Sequence, residues 1–407
     1  MLTKETDILV IGAGAAGFFA AIHAKASKPQ LRVSIAEKSN KVLAKVRISG
    51  GGRCNVTHNQ TDLTELLKNY PRGKNLLKWV LRKWSVTNTI RWFETHGVQL
   101  KTEEDGRMFP ITDDSRTIVG ALQNAAEQLG VEVWLSCGVD RIKKTDSGFI
   151  CHEGKDQILA RKIILATGGF PKSEHYNFLR EMGLEIVEPV PSLFTFNIPM
   201  PSLHAMQGIS TPWGRIKVAG HEGWYEGPIL ITHWGLSGPA VLKASAFLAR
   251  ELQESNYNFS TLVDWTGLGE ETAREHFVSH LLMHSAKQIG NANPFEFPRK
   301  LWEYLIETAG LDASKLCRNL NKTEKGKLLE LCIRSPYHAL GKTTFKEEFV
   351  TAGGIALKDI DANTMQAKNI PGLYFAGEII DLDGVTGGYN FQAAWATGYV
   401  AGSSAVK

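Results

Sequence analysis

An apolar strand that runs straight into a glycine-rich helix start constrains this chain more than any other feature. Residues 7–17 read Asp-Ile-Leu-Val-Ile-Gly-Ala-Gly-Ala-Ala-Gly, and a second apolar run, residues 31–36, ends at Glu37. The acid follows Gly17 after roughly 20 residues, which is the spacing found in dinucleotide-binding βαβ units. A glycine motif alone is weak evidence, but here a strand precedes it, a helix follows it and the acid lies at the expected distance. The N-terminal segment is therefore predicted to bind a nucleotide-containing cofactor.

The three glycines and the acid have separate physical roles in such a unit. Gly12 permits the tight turn out of the strand, Gly14 lets the backbone approach a pyrophosphate, and Gly17 lets the helix pack closely on the sheet. The pyrophosphate would meet free N–H groups at the positive end of the helix dipole. Glu37 can accept hydrogen bonds from both ribose hydroxyls, and its charge would repel a 2′-phosphate. A glycine-rich turn without a ligand is the alternative.

The composition is that of an ordinary globular protein. Hydrophobic residues make up 43% of the 407 residues and charged residues 22%, which allows two or three domains with ample cores. No run reaches the ~18 uninterrupted apolar residues of a membrane helix, so we expect no membrane insertion. A cleaved signal peptide is an alternative reading of residues 8–22, but acidic Glu5 and Asp7 precede that run and glycines interrupt it.

The charge balance does not indicate a nucleic-acid-binding protein. Lysine and arginine number 46 against 42 acidic residues, so the formal net charge is only +4. Basic clusters such as residues 72–83 are most simply explained as a solvated helix face. We therefore expect a small-molecule substrate and no nucleic-acid partner.

The cysteines indicate a reducing compartment. Cys54, Cys137, Cys151, Cys317 and Cys332 are odd in number and scattered, and none is spaced as C-x-x-C. This argues against a disulfide framework and against a zinc site, so we expect a cytoplasmic protein without a metal. Cys54 lies inside a glycine-rich loop, where a redox role is an alternative to simple packing.

The first part of the chain alternates strands and helices. Residues 1–38 form the expected βαβ unit, residues 39–60 a long functional loop, and residues 114–129 a helix. A further helix is expected over residues 87–96. Short strands are then expected over residues 131–134, 139–143, 149–152 and 161–165. The last of them runs into a Gly-Gly turn in which Gly168 is a candidate for cofactor contact.

Near Pro189 the composition changes to proline-punctuated β-type runs, which predicts an inserted domain. Helices are expected there over residues 238–250, 270–289 and 299–309. From Phe349 the first pattern returns, with a strand at residues 372–376 and a closing helix from about Tyr389. The predicted fold is therefore α/β. Its cofactor domain comprises residues 1–189 and 346–407, and the insertion, residues 190–345, is β-rich over 190–235 and helical over about 260–335.

Several long motifs in this order carry a resemblance to a known family. They are Ser49-Gly-Gly-Gly-Arg-Cys-Asn55, Thr232-His-Trp-Gly-Leu-Ser-Gly-Pro239, Thr351-Ala-Gly-Gly354, and the run from Gly372 to Gln392. Over nearly the whole chain the sequence resembles the HI0933-like (YhiN/BaiN) family of FAD-dependent proteins, within the glutathione-reductase-like flavoproteins. The resemblance implies non-covalent FAD, held in a Rossmann-like domain built from both ends of the chain.

The resemblance also implies individual contacts with FAD. The positions that match the pyrophosphate motif are Gly12, Gly14, Ala15, Ala16 and Gly17. Those that match the ribose and adenine contacts are Glu37, Lys38 and, through its backbone in a strand, Val139. Those that match the ribityl chain and ring are Lys45, Ser49, Gly50, Gly51, Gly52, Arg53, Cys54, Asn55, Glu378, Gly387, Gly388, Tyr389, Asn390 and Gln392. The chain departs from the commonest family pattern at Leu43, Ala44 and Ala393.

Physical chemistry supports one of these positions independently of the resemblance. A reduced flavin carries negative charge near N1 and O2, and a helix that begins at residues 388–390 can point free N–H groups there.

The resemblance implies an FAD-dependent oxidoreductase. A hydride would pass through flavin N5 to an acceptor beside the ring, and the inserted domain would contribute to the substrate pocket. One branch of the family reduces conjugated double bonds of steroid-like substrates, so reduction of an enone in a hydrophobic small molecule is the leading hypothesis. His233, Tyr389 and Arg53 are the candidate catalytic residues for protonating the substrate carbon.

No second G-x-G-x-x-G motif is present, so NAD(P)H would visit the flavin transiently, or another electron donor would be used. Two alternatives remain open. The chain could be a flavoprotein that serves RNA modification or lacks catalysis, or a plain NAD-dependent dehydrogenase.

Overall fold

Two units share the chain. The computed structural model describes residues 3–343 and 350–407. Unit 1 comprises Met1–Pro191 and Lys346–Lys407, and unit 2 comprises Ser192–Phe345. The expected boundary at residues 345 and 346, and Phe349 at the expected return of the first pattern, lie outside the described residues.

Strands and helices alternate through most of the described residues. The strands are β1 (Thr3–Ile11), β2 (Val33–Ala36), β3 (Thr57–His58), β4 (Leu100–Thr102), β5 (Arg107–Pro110), β6 (Glu132–Trp134), β7 (Arg141–Thr145), β8 (Gly148–Glu153), β9 (Asp156–Leu165), β10 (Ile186–Ser192), β11 (Thr195–Asn197), β12 (Ser210–Val218), β13 (Tyr225–Ile231), β14 (Gly235–Ser237), β15 (Asn258–Asp264), β16 (Ser335–Leu340), β17 (Lys342–Thr343), β18 (Val350–Ile355) and β19 (Leu373–Phe375). The α-helices are α1 (Ala15–Ser27), α2 (Ala44–Gly52), α3 (Leu63–Leu67), α4 (Lys74–Lys83), α5 (Val86–Thr95), α6 (Ser115–Gln128), α7 (Asn177–Glu181), α8 (Pro201–His204), α9 (Pro239–Phe247), α10 (Ala249–Glu254), α11 (Glu270–Met283), α12 (Arg299–Ala309), α13 (Lys322–Arg334) and α14 (Tyr389–Ala405).

A parallel sheet forms the centre of unit 1. Its strands β6, β2, β1, β9 and β19 lie side by side in that order, and all four pairings are parallel. The antiparallel strands β8 and β7 extend it from β9. The apolar residues of β1, Ile8–Ile11, are buried as expected of a parallel sheet covered on both faces. The prediction of a Rossmann-like α/β fold is confirmed.

The order of the strands shows where such a sheet binds its ligand. From β1 the chain moves outward through β2 to β6, whereas β9 and β19 lie on the other side of β1. The carboxyl ends of β1 and β9 therefore flank the point at which the winding reverses, which is the usual ligand crevice in open α/β sheets. Two small sheets complete unit 1, β3-β5-β4 and β10-β18.

Unit 2 is built on an antiparallel sheet with the order β16-β15-β12-β13-β14-β11-β17. A register shift in β12, between Thr211 and Gly214, interrupts its pairing with β13. The core of the unit combines residues of this sheet with residues of α9 and α11–α13, and it includes the completely buried rings of Trp265 and Trp302.

Several elements differ from their predicted bounds. The expected loop over residues 39–60 contains α2 and β3, because Ala44–Ile48 are helical before left-handed glycines end the turn. The expected helix over residues 238–250 is two helices, α9 and α10. Residues 258–264, partly within the segment expected to be helical, form β15, whose alternating burial is the period-2 pattern of a strand.

Other expected elements lie where the sequence placed them. α6 begins after Asp114, whose side chain accepts from the N–H of Arg116, and α12 spans Arg299–Ala309. The closing helix α14 begins at Tyr389. Among the described residues, no helix combines the length and the apolar character needed to cross a bilayer.

Candidate functional site

The turn between β1 and α1 is built around two glycines that have no room for a side chain. Gly12 has φ +108°, and a Cβ there would lie 2.4 Å from the carbonyl oxygen of Ala166, at the end of β9. A Cβ on Gly17 would lie 1.9 Å from the carbonyl oxygen of Gly12. These close approaches bring the start of α1 directly against the carboxyl ends of β1 and β9.

Gly14 serves a different purpose, since a Cβ at this position would meet no atom within 4 Å. It is the N-cap residue of α1, and no side chain caps the helix there. The N–H groups of the first turn have no intrahelical partner and carry the positive end of the helix dipole. This arrangement can bind an anionic group such as a pyrophosphate.

Glu37 lies at the rim of the same turn. Its carboxylate accepts from the N–H of Ala13 and from the N–H of Ser39, both at 2.9 Å. These bonds fix the carboxylate and leave lone pairs for further donors, such as ribose hydroxyls. Lys38 beside it is exposed.

Val139 is not part of a strand, contrary to the prediction. The strand after α6 is β6, β7 begins only at Arg141, and Val139 lies in the connection between them. The N–H of Cys137 donates to the carbonyl oxygen of Glu37 at 2.8 Å, which places this connection beside the rim.

A left-handed glycine turn forms the end of α2. Gly50, Gly51 and Gly52 have φ of +58°, +68° and +84°. A Cβ would meet the ring of Phe109 at 3.0 Å from Gly50, but nothing within 4 Å from Gly51 or Gly52. The turn therefore presents bare backbone to open space, where a flat ligand could approach.

Two neighbouring side chains are held by the protein itself. The guanidinium of Arg53 lies 2.6 Å from a Glu103 oxygen and 4.0 Å from the ring centroid of Phe109, and it also pairs with Asp113. Cys54 is completely buried, and burial raises the pKa of its thiol to about 12. It remains a protonated thiol at neutral pH, which argues against a redox role.

Glu378 joins the two halves of unit 1. Its carboxylate lies 3.0 Å from the ammonium group of Lys45 and accepts from the N–H of Thr351 at 2.8 Å. Lys45 is on α2 and Thr351 on β18, so one carboxylate links the N-terminal and C-terminal parts. Gly168 has φ +73°, and a Cβ there would meet no atom within 4 Å, so the neighbouring space is open.

The start of α14 is fastened to the Asn55–His58 segment. With its side-chain nitrogen facing the carbonyl oxygens of Thr57 and Met108, Asn55 accepts from the N–H of Gly388 at 3.0 Å. The Thr57 hydroxyl donates to the side-chain oxygen of Gln392 at 2.8 Å. A Cβ on Gly388 would lie 2.5 Å from the Thr57 carbonyl, so this close approach requires glycine. We call these contacts the Asn55–Gln392 clasp.

Asn390 closes the turn that precedes α14. Its side chain accepts from the N–H of Gly384 and donates to the carbonyl oxygen of Gly384, both at 2.8 Å. Gly387 and Gly388 lie between them with φ of +119° and +93°, and no side chain caps α14. The first-turn N–H groups of α14 therefore form a second positive helix end.

Three residues that sequence reasoning missed also hold this turn. His58 Nδ1 lies 3.1 Å from the carbonyl oxygen of Gly387, and its ring stacks on Tyr389 with centroids 4.7 Å apart. The Tyr70 hydroxyl donates to the carbonyl oxygen of Tyr389 at 2.9 Å. Arg72 forms a two-fold ion pair with buried Asp383. Their partners lie more than 300 residues away, so no local pattern marks them.

α1 and α14 pack side by side through glycines. A Cβ on Gly398 would lie 2.7 Å from the carbonyl oxygen of Ala16, and one on Gly402 would lie 2.2 Å from that of Ala20. The matching four-residue steps show that the helices run in the same direction. The start of α14 therefore projects beyond the start of α1 by about eight residues, or roughly 12 Å at 1.5 Å per residue.

A family model described as HI0933-like protein Rossmann domain matches residues 6–404. The chain belongs to this family. Its members are FAD-dependent oxidoreductases, and the expectation drawn from the sequence motifs is confirmed at that level.

Curated relatives align with this chain over nearly its full length. It is 26% identical to the 3-dehydro-bile acid delta(4,6)-reductase of Clostridium scindens, over 98% of each chain. It is 27% identical to the ribosomal RNA dihydrouridine synthase of Haemophilus influenzae, again over 98% of each chain, and 28% identical to that of Escherichia coli, over 97% of each.

Solved structures of flavoenzymes share its fold. A 3-ketosteroid delta1-dehydrogenase from Sterolibacterium denitrificans superposes with a TM-score of 0.54 at 12% identity, over 99% of each chain. A flavocytochrome c3 fumarate reductase superposes with a TM-score of 0.52 at 16% identity, over 99% of this chain and 78% of the other. At these identities the likeness concerns the fold alone.

The residues around the two helix starts fit FAD. The open space beside Gly14 suits a pyrophosphate, and the bare backbone of Gly51 and Gly52 suits the approach of a flat ring. The two uncapped helix starts, separated by about 12 Å along their common direction, match an extended molecule with a diphosphate at one position and a ring that gains negative charge at another.

The candidate catalytic residues are in different situations. Tyr389 is largely buried, and burial raises the pKa of its phenol to about 12, with a smaller contribution from the charge of Asp105. Arg53 is engaged with acids, as described above. His233 is exposed in unit 2, with its ring 4.7 Å from that of Trp234.

Proposed function

We propose that this protein uses FAD to reduce a carbon–carbon double bond conjugated to a carbonyl group. The observation that carries the proposal is that the substrates of different relatives contain the same type of bond. One relative is named for reducing the delta(4,6) bonds of a 3-dehydro-bile acid, which are conjugated to its 3-oxo group. The other makes dihydrouridine, and the C5=C6 bond of uracil is conjugated to the C4 carbonyl. The bond type is the common element.

Within this proposal, different residues of unit 1 bind different parts of FAD. The first turn of α1, at Gly14, Ala15, Ala16 and Gly17, holds the pyrophosphate. Glu37, with Lys38 and the backbone near Val139, holds the adenosine. Support comes from the open space beside Gly14 and from the fixed carboxylate of Glu37. The remaining contacts that we propose are with the ribityl chain and ring: Lys45, Ser49–Arg53, Asn55, Gly168, Glu378 and Gly387–Asn390.

Gln392 and Cys54 act indirectly in this scheme, because both are completely buried. Gln392 holds Thr57 through the Asn55–Gln392 clasp, and Cys54 fills the space beneath the glycine turn, with its N–H donating to the Ser49 carbonyl at 2.9 Å.

When bound, FAD supplies a hydride at N5. The chain's own residues supply position, charge stabilisation and a proton. The N–H groups at the start of α14, where no side chain caps the helix, would stabilise negative charge on the reduced ring. Tyr389 is proposed as the proton source. A phenol with a pKa of about 12 stays protonated at neutral pH and can donate its proton to an enolate-like carbon of the substrate. Arg53 is less suited, since a guanidinium does not release a proton.

The absorbance spectrum of the purified protein provides the first test. Bound FAD gives visible bands, and their absence after reconstitution with FAD would contradict the proposal.

Anaerobic mixing with NADH or NADPH then tests whether a nicotinamide donor bleaches the flavin. Reoxidation of dithionite-reduced protein by conjugated ketones, but not by their saturated or unconjugated counterparts, is the expected result whichever donor is used. Equal reactivity with unconjugated alkenes would exclude the proposed bond class.

A hydrophobic small enone and the uracil base of RNA are the two candidate substrates. The uracil candidate is favoured by the two rRNA-modifying relatives, which match this chain over at least 97% of its length. Incubation of the reduced protein with a uridine-containing transcript should add two hydrogen atoms to uracil, detectable by mass spectrometry of the nucleosides. A steroid-like enone in the same assay, with dithionite in excess as the reductant, separates the two candidates, since only the true class should be reduced in many turnovers.

A further inference from the structure

The charges of this chain are unevenly distributed. Between Glu65 and Glu94 there is no acidic residue, but there are seven cations: Lys68, Arg72, Lys74, Lys78, Arg82, Lys83 and Arg91. Because the whole chain carries a formal charge of +4, all other residues together carry −3. The modest overall charge therefore conceals a strongly basic segment, and the expectation of no nucleic-acid partner was drawn from the overall charge.

α4 displays much of this charge on one face. Its apolar residues Leu76, Leu77, Val80 and Leu81 are buried in unit 1. Its opposite face exposes Lys74, Lys78, Trp79, Arg82 and Lys83. We call these five residues the α4 basic face.

Three cations of this face form a row along the helix. Lys74, Lys78 and Arg82 follow each other at four-residue steps, about 6 Å apart along the axis. Like charges at this spacing destabilise an isolated helix, so the repulsion within the row gives α4 no stability. Its spacing resembles that of successive phosphates along an extended nucleic-acid strand.

An aromatic ring lies within the row. Trp79 is 49% exposed, and the guanidinium of Arg82 lies 5.5 Å from its ring centroid. An exposed indole beside cations offers a stacking platform for a base while the cations contact the backbone. Within the segment, Lys68 pairs with Glu65, Arg72 pairs with Asp383, and the ammonium group of Lys83 donates to the carbonyl oxygen of Asn363.

The start of α4 is tied to the loop that precedes α14. A Cβ on Gly73 would lie 2.8 Å from Leu382, and Arg72 pairs with Asp383 in the same loop. A strand lying along the ~15 Å of α4 would therefore have one end beside the loop that leads to the proposed flavin ring position.

We infer that the α4 basic face is a docking surface for single-stranded RNA, with the phosphates on Lys74, Lys78 and Arg82 and a base stacked on Trp79. An anionic lipid surface is the less suitable occupant. A membrane-bound helix must insert its apolar face into lipid, whereas the apolar face of α4 is already buried in the protein. The inference rests on the proposed function only for what happens to the RNA after binding.

Binding of a fluorescently labelled oligouridine to the FAD-loaded protein, followed by anisotropy at several salt concentrations, tests the inference without turnover. K78Q/R82Q should lose ten-fold or more in affinity. Its slope of log affinity against log salt should fall by about 1.4, or 0.7 for each lost phosphate contact on a single strand. W79A should lose about five-fold or more with little change in slope, because stacking releases no counterion.

A matched variant separates a specific surface from general charge. K300Q/K322Q also removes two exposed cations, on α12 and α13, and should bind oligouridine like the wild type. Equal losses in both double variants, or wild-type binding by K78Q/R82Q, would overturn the inference. Binding to phosphatidylserine vesicles that depends on Lys78 and Arg82 more strongly than RNA binding does would also overturn it, in favour of a lipid surface.

The outcome remains distinguishable from that of the proposed function. All changed side chains are exposed, so retained FAD absorbance and an unchanged melting temperature show that each variant is folded. RNA binding through Lys78 and Arg82 without reduction of uracil would leave the docking surface intact and remove the uracil candidate. If the protein reduces enones and K78Q/R82Q binds RNA like the wild type, the proposed function would stand and the docking surface would be overturned.

Discussion

Gly14 and Gly17 lie three residues apart, but the surroundings of their Cβ positions are opposite. A methyl group on Gly14 meets nothing within 4 Å, whereas one on Gly17 would lie 1.9 Å from the carbonyl oxygen of Gly12. Gly14 also has φ −89°, which alanine adopts without strain. The fold therefore requires the second glycine, whereas we expect the first to be required only by a bound ligand.

Gly14→Ala should fold with a stability loss of about 1 kcal/mol or less, arising from a poorer helix N-cap, but should bind FAD at least ten-fold more weakly. Gly17→Ala should destabilise the apoprotein by on the order of 3 kcal/mol, because the overlap can be relieved only by moving α1. Thermal unfolding of the apoproteins and FAD titration measure the two effects. A Gly14→Ala variant that binds FAD normally would contradict the assignment of this space to the pyrophosphate.

Leu43 shows how the fold tolerates a departure from the family pattern. Its φ of +56° lies in the left-handed region, where glycine would be unstrained. The side chain is buried, and its N–H donates to the carbonyl oxygen of Ala13 at 2.8 Å. Burial of a leucine side chain, worth roughly 2 kcal/mol, offsets a left-handed conformation that costs about 1–2 kcal/mol.

His23 should make the protein acid-sensitive. Its ring lies among Phe19, Trp84, Trp92 and Tyr399, and burial lowers its pKa from 6.5 to about 4. Above pH 6.5 the histidine is neutral in both folded and unfolded chains and has no effect on the pH dependence. Between pH 6.5 and about 4 only the unfolded chain gains the proton, so stability falls as pH falls, by on the order of 3 kcal/mol in total.

Urea unfolding at pH 7.5 and pH 4.5 measures this effect. His23→Phe keeps an aromatic ring in the cluster but cannot titrate, so its stability should change less between the two pH values than that of the wild type. An equal change in both proteins would show that other groups, and not His23, cause the acid sensitivity.

At the scale of elements, the packing of α14 on α1 depends on glycine. A methyl group on Gly402 would lie 2.2 Å from the carbonyl oxygen of Ala20. Alanine is the better helix former by about 1 kcal/mol, but it would force the helices apart. The steric overlap should outweigh the gain in helix propensity, because the carbonyl oxygen of Ala20 cannot move unless the whole of α1 moves.

Gly402→Ala should therefore lower the stability of the apoprotein by about 1–3 kcal/mol and weaken FAD binding, since the start of α14 would shift relative to α1. Ser403→Ala is the matched control on the same helix, and it should change neither the melting temperature nor FAD affinity by much. A Gly402→Ala variant as stable as this control would show that the two helices can separate at little cost.

The Asn55–Gln392 clasp allows a test of how the start of α14 is held. Thr57→Val removes the hydroxyl that donates to Gln392, a residue with no exposed surface whose side-chain nitrogen has no hydrogen-bond partner in the described structure. Leaving the amide without partners should cost about 1–3 kcal/mol. The reduction potential of bound FAD should also shift if the N–H groups of α14 lie beside the flavin as proposed, because the start of this helix would lose a supporting hydrogen bond.

Thr57→Ser is the matched control, because it retains the hydroxyl group. Spectroelectrochemical titration of both holoproteins separates the readouts. A lower melting temperature with an unchanged potential would confine the clasp to a structural role.

At the scale of the whole molecule, bound FAD should stabilise unit 1 selectively. A ligand that binds only the folded state adds RT ln(1 + [L]/Kd), so the melting temperature should rise with FAD concentration. Hydrogen exchange should slow most at residues 12–17, 49–55 and 386–391. Protection spread evenly over both units, or no protection at residues 386–391, would contradict an FAD site formed by both ends of the chain.

The parts of the site that the sequence predicted are local ones. Gly12, Gly14 and Gly17 act within a single βαβ unit, so their spacing reports their roles directly. The partners of the second helix start could not be found in this way. His58 meets Gly387 across 329 residues and Thr57 meets Gln392 across 335, and no spacing along the chain encodes such pairs.

The basic residues of α4 are a second case in which the sequence alone was not sufficient. Residues 72–83 look like an ordinary solvated helix when only composition and periodicity are considered. The structure adds that the apolar face of α4 is used up in packing, which leaves Lys74, Lys78, Trp79 and Arg82 together on the outside.

By itself, the sequence determined the dinucleotide-binding turn, the acid at its rim, the α/β class and the family, because each follows from residues close together or from motifs in a fixed order. Only the tertiary structure decided how the two ends meet. The offset of α14 against α1, the clasp around Gly388 and the tie between α4 and the Leu382–Asp383 loop all depend on close backbone approach between distant segments. Such contacts form because the folded sheet brings those segments together, and no local propensity specifies them.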